Sequence, residues 1–502
     1  MYYDNILSAK DSQAFEEQYF SSAKRDELSV IREVGSKIAE DFLSEKYFNK
    51  AIKSLLLLLG KGHNASDGLA FLLAMKSQLC ATKIYILECF DRDSLKANTK
   101  LLLDELLGQG LDIIFINKEE LESLNVDIII EAIAAMRTKP SLSEYFQDIL
   151  LKVNDLDALK ITIDMPFGIS KEEVSLAFKA DYTYATAIAK SEIFLDCNAQ
   201  YTGRIRYIDM GFFKGQKQGE YCIYSPQNLD FFDKPRRALS DKRDYGFLIV
   251  VGGSMEYKGA VLLNVQSALR SSVGLLRAFV PEALEVAYAV KEPSAMYTGC
   301  STCPEGYLSL ENFFLIKKYL SKATAILIGS GIGQSLETKA LVAEIIKSST
   351  CPIILDADAI NPANLELLKT KDNALITPHN GEFLRLAKDC SNEELLRVSK
   401  EYGVNILLKG RYVRACDGEQ IVINAMASPA LARGSTGDIL AGIAGGLIAN
   451  KELNLSILDK ALSAYAILAK SSHKLVAKYG ENGFSASQLI EYLNKTNLED
   501  YE

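Results

Sequence analysis

The chain has 502 residues, room for two or three domains, each with its own core. Hydrophobic residues make up 48% and charged residues 24%, a globular balance that excludes disorder, collagen-like repeats and a small disulfide scaffold. The net charge of −9 argues against a surface built to grip nucleic acid or an anionic membrane, and three histidines all but exclude a multi-histidine metal centre.

The N-terminal stretch MYYDNILSAKDSQAFEEQYF has no basic segment followed by an apolar core, so a signal peptide is not expected. The apolar run Ile439–Ala449 is too short and too glycine-rich to span a bilayer. Nine scattered cysteines fit a reducing cytoplasm. Cys300 and Cys303 have metal-ligand spacing, but with no second pair and no nearby histidine they read as ordinary thiols.

DSQAFEEQYF and ELSVIREVGSKIAEDFLSEKYF place apolar residues three and four apart and read as helices. SLLLLLG (54–60) is a strand, KGHNASDG a loop and GLAFLLAMKSQL a helix. KIYILECF, a helix in KANTKLLLDELLGQG, and the strands DIIFIN, VDIIIEAIAAM and KITIDMPFG follow. YTYATAI and EIFLDC read as two more strands. Regularity lapses over 211–235, which places a domain boundary there, between 1–222 and 223–502.

A second series begins at Tyr245. Its strands are FLIVVGGS, LLRAFVP, ATAILIGSGIG, PIILDADAI, NALITPH and VNILLKG, with a helix in VLLNVQSALRSSVG. RYVRACDGEQIVIN reads as a hairpin turning on the pair Asp417-Gly418. ARGSTGD opens a small-residue helix, ILAGIAGGLIAN, and the tail NKTNLEDYE is expected to fray. Strands alternating with helices predict an α/β protein of two domains, each a mostly parallel sheet flanked by helices.

The strongest chemical signal is Gly434-Ser435-Thr436-Gly437-Asp438 at the start of that helix. The glycines admit a ligand close to the backbone, and the free N–H groups of a first helical turn attract an anion. Asp438 in that turn either caps the helix or handles a proton beside the anion. Five further loops follow strand ends: Gly252–Ser254, Gly329–Gly333, Asp356–Asp358, Thr377–Glu382 and Lys409–Gly410. Ligands of open α/β sheets bind on that side. GSGIG is not a dinucleotide fingerprint, because no acidic partner follows at the right distance. Asp356 and Asp358 fit either a turn or a magnesium site, and Arg411 and Arg414 fit solvated strand charges.

In order, GGSMEYKGA, SALRSSVGLL, IGSGIG, LDADAIN, TPHNGEF, LLKGRYV and GSTGDILAGI resemble the ADP-dependent NAD(P)H-hydrate dehydratases, which have the ribokinase-like fold. LLGKGHNASDG, VDIIIEAIAAM and DMPFG resemble the Rossmann-like NAD(P)H-hydrate epimerases. Fused in this order, the two halves resemble the bifunctional NAD(P)H-hydrate repair enzymes. The resemblance implies repair of NADH hydrate and NADPH hydrate, with ADP as nucleotide co-substrate and Mg2+, by a homo-oligomer. It implies Asp438 as the base of the dehydratase. Lys409, Gly410, Arg411, Tyr412, Val413, Gly434 and Gly437 would bind the nucleotide. Ala260, Gly331, His379 and Asp438 would hold the hydrate.

In the first domain the resemblance implies that His63, Asn64, Ala65, Ser66, Asp67 and Asp164 meet the hydrate, with Asp164 catalytic. Asn64 and Glu131 would hold potassium. The family pattern is altered here: Ala65 and Ser66 stand for two glycines, Glu131 for an aspartate and Phe167 for a serine. Phe167 offers no side-chain oxygen, so a weak, potassium-insensitive epimerase is expected. The rival readings are a ribokinase-like kinase of a vitamin precursor or sugar, and a first domain that only binds or scaffolds a partner.

Overall fold

The computed structural model describes residues 3–22, 25–44, 52–133, 142–214, 216–225, 229 and 236–493. The chain divides into two compact units, Asp4–Gly219 and Met1–Tyr3 with Glu220–Glu502.

The first unit is a seven-stranded sheet in the order Asp112–Phe115, Lys83–Glu88, Ser54–Leu59, Ile128–Ala132, Leu159–Ile163, Tyr182–Thr186, Arg204–Ile208. Every neighbouring pair is parallel. The run SLLLLL lies near the middle because a central parallel strand is covered on both faces, and Leu55–Leu59 are buried. Helix Glu27–Ser44 crosses helix His63–Ala74 at Gly35, where a Cβ would lie 2.4 Å from the Ala70 carbonyl carbon. The bare glycine permits that approach.

The second unit contributes ten strands, from Tyr221–Tyr224 onward. Their order is Tyr221–Tyr224, Ile421–Asn424, Val413–Cys416, Val404–Leu408, Ala374–Ile376, Ile353–Leu355, Ala325–Ile328, Phe247–Val251, Leu275–Pro281, Met296–Cys300. Only the pairs made by Val413–Cys416 are antiparallel. Helix Thr436–Ala449 is buried from Ile439 onward and packs on helix Ala260–Leu269. Gly442 makes this possible: a Cβ there would fall 2.0 Å from Ser267 Oγ and 2.4 Å from the Asn264 carbonyl oxygen.

Four expectations are corrected. EIFLDC is not a strand but two short 3₁₀ turns, Ser191–Phe194 and Asp196–Asn198. Polar side chains decide it: the Glu192 carboxylate accepts from Ala9 N–H, and Asn198 Nδ2 donates to the carbonyls of Ser170 and Glu192. KGHNASDG is not all loop, since the helix begins at His63. The Asp417-Gly418 hairpin turns over four residues rather than two, because Cys416 pairs with Ile421. There Asp417 Oδ1 accepts from the N–H groups of Glu419 and Gln420, at 3.0 Å each. Strands Arg204–Ile208, Tyr221–Tyr224 and Met296–Cys300 lie in segments too polar or irregular for a period-two signal. Ala134–Met136, the tail 494–502 and most of 226–235 lie outside the described residues.

Among the described residues no helix is long and apolar enough to cross a membrane. All nine cysteines are free thiols.

Replacing Gly442 by valine drives a branched side chain into the helix Ala260–Leu269. The expected loss is about 3 kcal/mol or more of unfolding free energy, the upper end for overpacking, read by denaturant titration. A midpoint equal to that of the unmodified chain would show that the two helices are not in this contact.

Candidate functional site

In the second unit the parallel strands all end on one side of the sheet, and their loops converge there. Asp356 follows strand Ile353–Leu355 and is 2% exposed. Its carboxylate accepts from Ser330 Oγ at 2.9 Å, Thr377 Oγ1 at 2.7 Å and Lys409 Nζ at 3.3 Å. Three loops are thereby tied to one buried charge. Lys409 enters beside Pro378, whose carbonyl accepts the Lys409 N–H at 2.8 Å. Its ammonium also reaches the glycine-rich helix start, where a Cβ on Gly437 would lie 3.3 Å from Nζ.

That helix start is open to a ligand. Ser435 is the N-cap in the left-handed region (φ 73°), and its side chain makes no capping bond. Among the described residues the N–H groups of Thr436, Gly437 and Asp438 have no partner, which leaves three donors and a helix dipole facing outward. Asp438 is therefore not the cap. Burial pushes its carboxyl up to about 7, and the charge of Asp356 adds to the rise; Lys409 and the Ser330 hydroxyl oppose it. A carboxyl at that value loses and takes up a proton near neutrality. Asn264 Nδ2 anchors the turn by donating to the Asp438 carbonyl at 2.7 Å.

Gly331 is left-handed (φ 63°), and a Cβ on it would lie 3.0 Å from the Cβ of Ala260, so these two expected ligand contacts adjoin. His379 caps the short helix Asn380–Phe383: its Nδ1 accepts from Glu382 N–H at 3.2 Å, and its ring remains largely exposed. Arg411 is exposed at the same rim, with its guanidinium 6.0 Å from the Tyr412 ring centroid. Gly410 is exposed, and a Cβ on Gly434 would meet nothing within 4 Å. Val413 points into the core at 2% exposure, which leaves only its backbone for a ligand. Arg414 is no free surface charge, since it donates to Asn392 Oδ1 and the Cys390 carbonyl.

Among the described residues magnesium finds no ready ligand set. Asp356 is occupied by its three donors, and Asp358 accepts from Gly333 N–H and Gln334 Nε2. Among the described residues no group of three His, Cys, Asp or Glu is placed to hold a metal ion. Asp356–Asp358 is a turn.

In the first unit the N–H groups of His63, Asn64 and Ala65 likewise have no partner among the described residues. Asp164 lies at φ 73° after strand Leu159–Ile163, and Lys190 Nζ is 2.5 Å from its Oδ1. Asp67 is 8% exposed, and its carboxyl is held well above the usual range by burial and by the charge of Asp164. His63 Nε2 lies 2.6 Å from Glu27 Oε1. The Ser66 hydroxyl is used within the fold, against Thr99 and the Gly62 carbonyl.

Of the two expected potassium ligands, Glu131 is committed within the fold. Glu131 is fully buried, and its carboxylate accepts from Ile133 N–H, Thr162 Oγ1 and Phe167 N–H. Burial raises that carboxyl to about 7, which weakens it further as a partner for a cation. Asn64 Nδ2 donates to the Ile163 carbonyl, and Phe167 packs its ring on Phe146.

Residues 248–495 match the family model for NAD(P)H-hydrate dehydratase, and residues 27–191 match that for the YjeF-related protein N-terminus. The bifunctional NAD(P)H-hydrate repair enzyme of Archaeoglobus fulgidus is 25% identical over 97% of this chain and 97% of its own length. Its counterpart from Moorella thermoacetica is 25% identical over 93% of this chain and 91% of its own. The chain belongs to the bifunctional NAD(P)H-hydrate repair enzyme family. A solved structure of the Bacillus subtilis ADP/ATP-dependent NAD(P)H-hydrate dehydratase, co-crystallised with ATP/Mg2+, is 24% identical with a TM-score of 0.46, and covers 55% of this chain and 96% of that one.

Within this repair-enzyme chain, Ser330, Thr377 and Asn264 support the site although no sequence signal singled them out. Each acts through tertiary bonds, and the motifs that contain Ser330 and Thr377 point to their neighbours instead. Tyr307 is another: its hydroxyl donates to Glu256 at 2.6 Å, and its ring fills the space over Gly333. Lys190 has no motif at all and is found only through its bond to Asp164.

Gly437→Val would place methyl groups between Lys409 and the free N–H groups of the helix start. Affinity for ADP should fall by at least 10-fold in calorimetry, with the fold kept. Unchanged affinity would place the phosphates elsewhere.

Proposed function

We propose that this chain repairs hydrated NADH and NADPH, its second unit removing water at the expense of ADP and its first unit interconverting the two epimers of the hydrate. The observation that carries the dehydratase half is Asp438. A carboxyl poised near neutrality stands beside three free N–H groups and an ammonium.

The chemistry follows from those groups. The Asp438 carboxylate takes the proton of the C6 hydroxyl as that oxygen attacks the terminal phosphorus of ADP. The N–H groups of Thr436–Asp438 and the Lys409 ammonium hold the charge that spreads over the transferring phosphoryl oxygens. AMP leaves. The lone pair of the ring nitrogen then expels phosphate from C6, and loss of a C5 proton restores the reduced nicotinamide. The products balance as NAD(P)H, AMP, phosphate and a proton. Lys409, Gly410, Arg411, Tyr412 and Val413 line the nucleotide side of this site, and Ala260, Gly331 and His379 the hydrate side. ADP enters as its Mg2+ complex, and no step above draws on a metal ligand from the protein. The working form is a homo-oligomer in the cytoplasm.

Incubation with prepared NADH hydrate and ADP tests the reading. The absorbance of reduced nicotinamide should return, with one phosphate released per NADH formed. Asp438→Asn should slow this on the order of 10²–10⁴-fold while ADP still binds, the usual worth of a positioned base. A stable phosphorylated product with no NADH would make the second unit a small-molecule kinase. Near-full activity in Asp438→Asn would remove the base from this mechanism.

A further inference from the structure

The first unit holds a group of ionisable side chains that the dehydratase chemistry does not use. Lys190 Nζ lies 2.5 Å from Asp164 Oδ1 and 3.9 Å from Glu16 Oε1, and the Lys190 and Asp164 side chains are 6% and 5% exposed. The Asp164 main chain is fixed. Its backbone is left-handed, and its N–H is fixed on the Tyr184 carbonyl at 2.7 Å. Asp67 stands in the same group with a different environment. It is 8% exposed, it has no hydrogen-bond partner among the described residues, and its nearest charges are the acids Asp164, Glu16 and Glu27 and the single cation Lys190. The remaining titratable groups facing this cluster are Glu192, whose carboxylate accepts from Ala9 N–H, and His63, which is paired with Glu27.

Two buried carboxyls that both feel the Lys190 ammonium, only one of them bonded to it, are not equivalent. The one in bonding contact with the lysine keeps its charge, and the one without a partner keeps its proton. We infer that Asp164 is the base and Asp67 the acid of the epimerisation, with Lys190 as the positioning residue that divides the roles. This rests on the epimerase reading above. The directions of the proton affinities agree: burial raises both carboxyls, Lys190 opposes the rise at Asp164, and Asp67 is driven well above the usual range.

The hydrate is a cyclic hemiaminal, so its C6 can invert through an open ring. The Asp164 carboxylate takes the hydroxyl proton and C6–O becomes a carbonyl. The C6–N1 bond breaks, its electron pair goes to N1, and Asp67 delivers its proton there. Rotation about C5–C6 presents the other carbonyl face. N1 then returns its proton to Asp67 and attacks that face, and Asp164 returns its proton to the oxygen. Every atom and charge is restored, and no ion or co-reactant is consumed.

The test uses the full chain, a mixture of both hydrate epimers and ADP. The rapid dehydration phase of each trace serves as the internal control, and the slow phase reads epimerisation. Asp67→Asn and Asp164→Asn should each slow that phase on the order of 10²-fold or more. Lys190→Gln should move the acid limb of its pH profile to higher pH, because Asp164 loses the cation that favours its ionised form, and Lys190→Arg should bring the limb back. A purely structural role for Lys190 would lower the rate at every pH without moving the limb. In ¹⁸O-water the unmodified chain should yield the inverted epimer with its original C6 oxygen. An unshifted limb in Lys190→Gln, full rate in Asp67→Asn, or solvent oxygen at C6 would each overturn the inference. The isotope result stands even where a variant does not fold. An unmodified chain that leaves the slow phase at the uncatalysed rate would instead overturn the epimerase reading, and this inference with it.

Discussion

One lysine shared between two carboxylates organises the second unit. Lys409 bonds Asp356 and lies against the helix that carries Asp438, at the side of the sheet where the parallel strands end. Asp356 is enclosed and its carboxylate takes three donors, so it is fixed in place. That fixed charge, together with burial, makes a second negative charge at Asp438 costly and lifts its carboxyl toward neutrality. The same lysine and the free N–H groups of the helix start favour an anion a few ångströms away. A base that is reluctant to ionise and a cradle that attracts phosphate are thus two results of one arrangement. The packing of Gly442 against Ser267 and Asn264 keeps the helix in position to deliver both.

The first unit reaches a similar end by a different route. There the ammonium of Lys190 sits directly on Asp164, and Asp67 is left without a partner among the described residues. Glu131 and Phe167 form a closed internal contact through the Phe167 N–H and the Glu131 carboxylate. The altered loop still begins a helix whose first three N–H groups have no partner among the described residues, so the loss of two glycines does not close that helix start.

The fold was legible where apolar runs were long. SLLLLL and FLIVV are buried on both faces and read as parallel strands without ambiguity. It was not legible where a strand carries charge, as in Arg204–Ile208, or where side chains compete for the backbone, as at Glu192 and Asn198. The nucleotide-side loops could be named from glycines and strand ends, because those features are local. The groups that tune them could not. Ser330, Thr377 and Asn264 act across the fold, and the partnership of Lys190 with Asp164 joins residues 26 apart. His379 had a local signal, yet its bond to Glu382 shows that its ring is partly committed to capping a helix.

The central claim is that Asp438 is the base and that Asp356 and burial hold its proton affinity near neutrality. The direct measurement is the pH dependence of kcat/KM for dehydration of NADH hydrate at limiting hydrate and saturating ADP. The base must be ionised to act, and its surroundings favour the protonated form, so the rate constant should climb tenfold per pH unit on the acid side and level off above about 7. A profile that is flat down to the ordinary carboxylate range, about 4, would contradict the account.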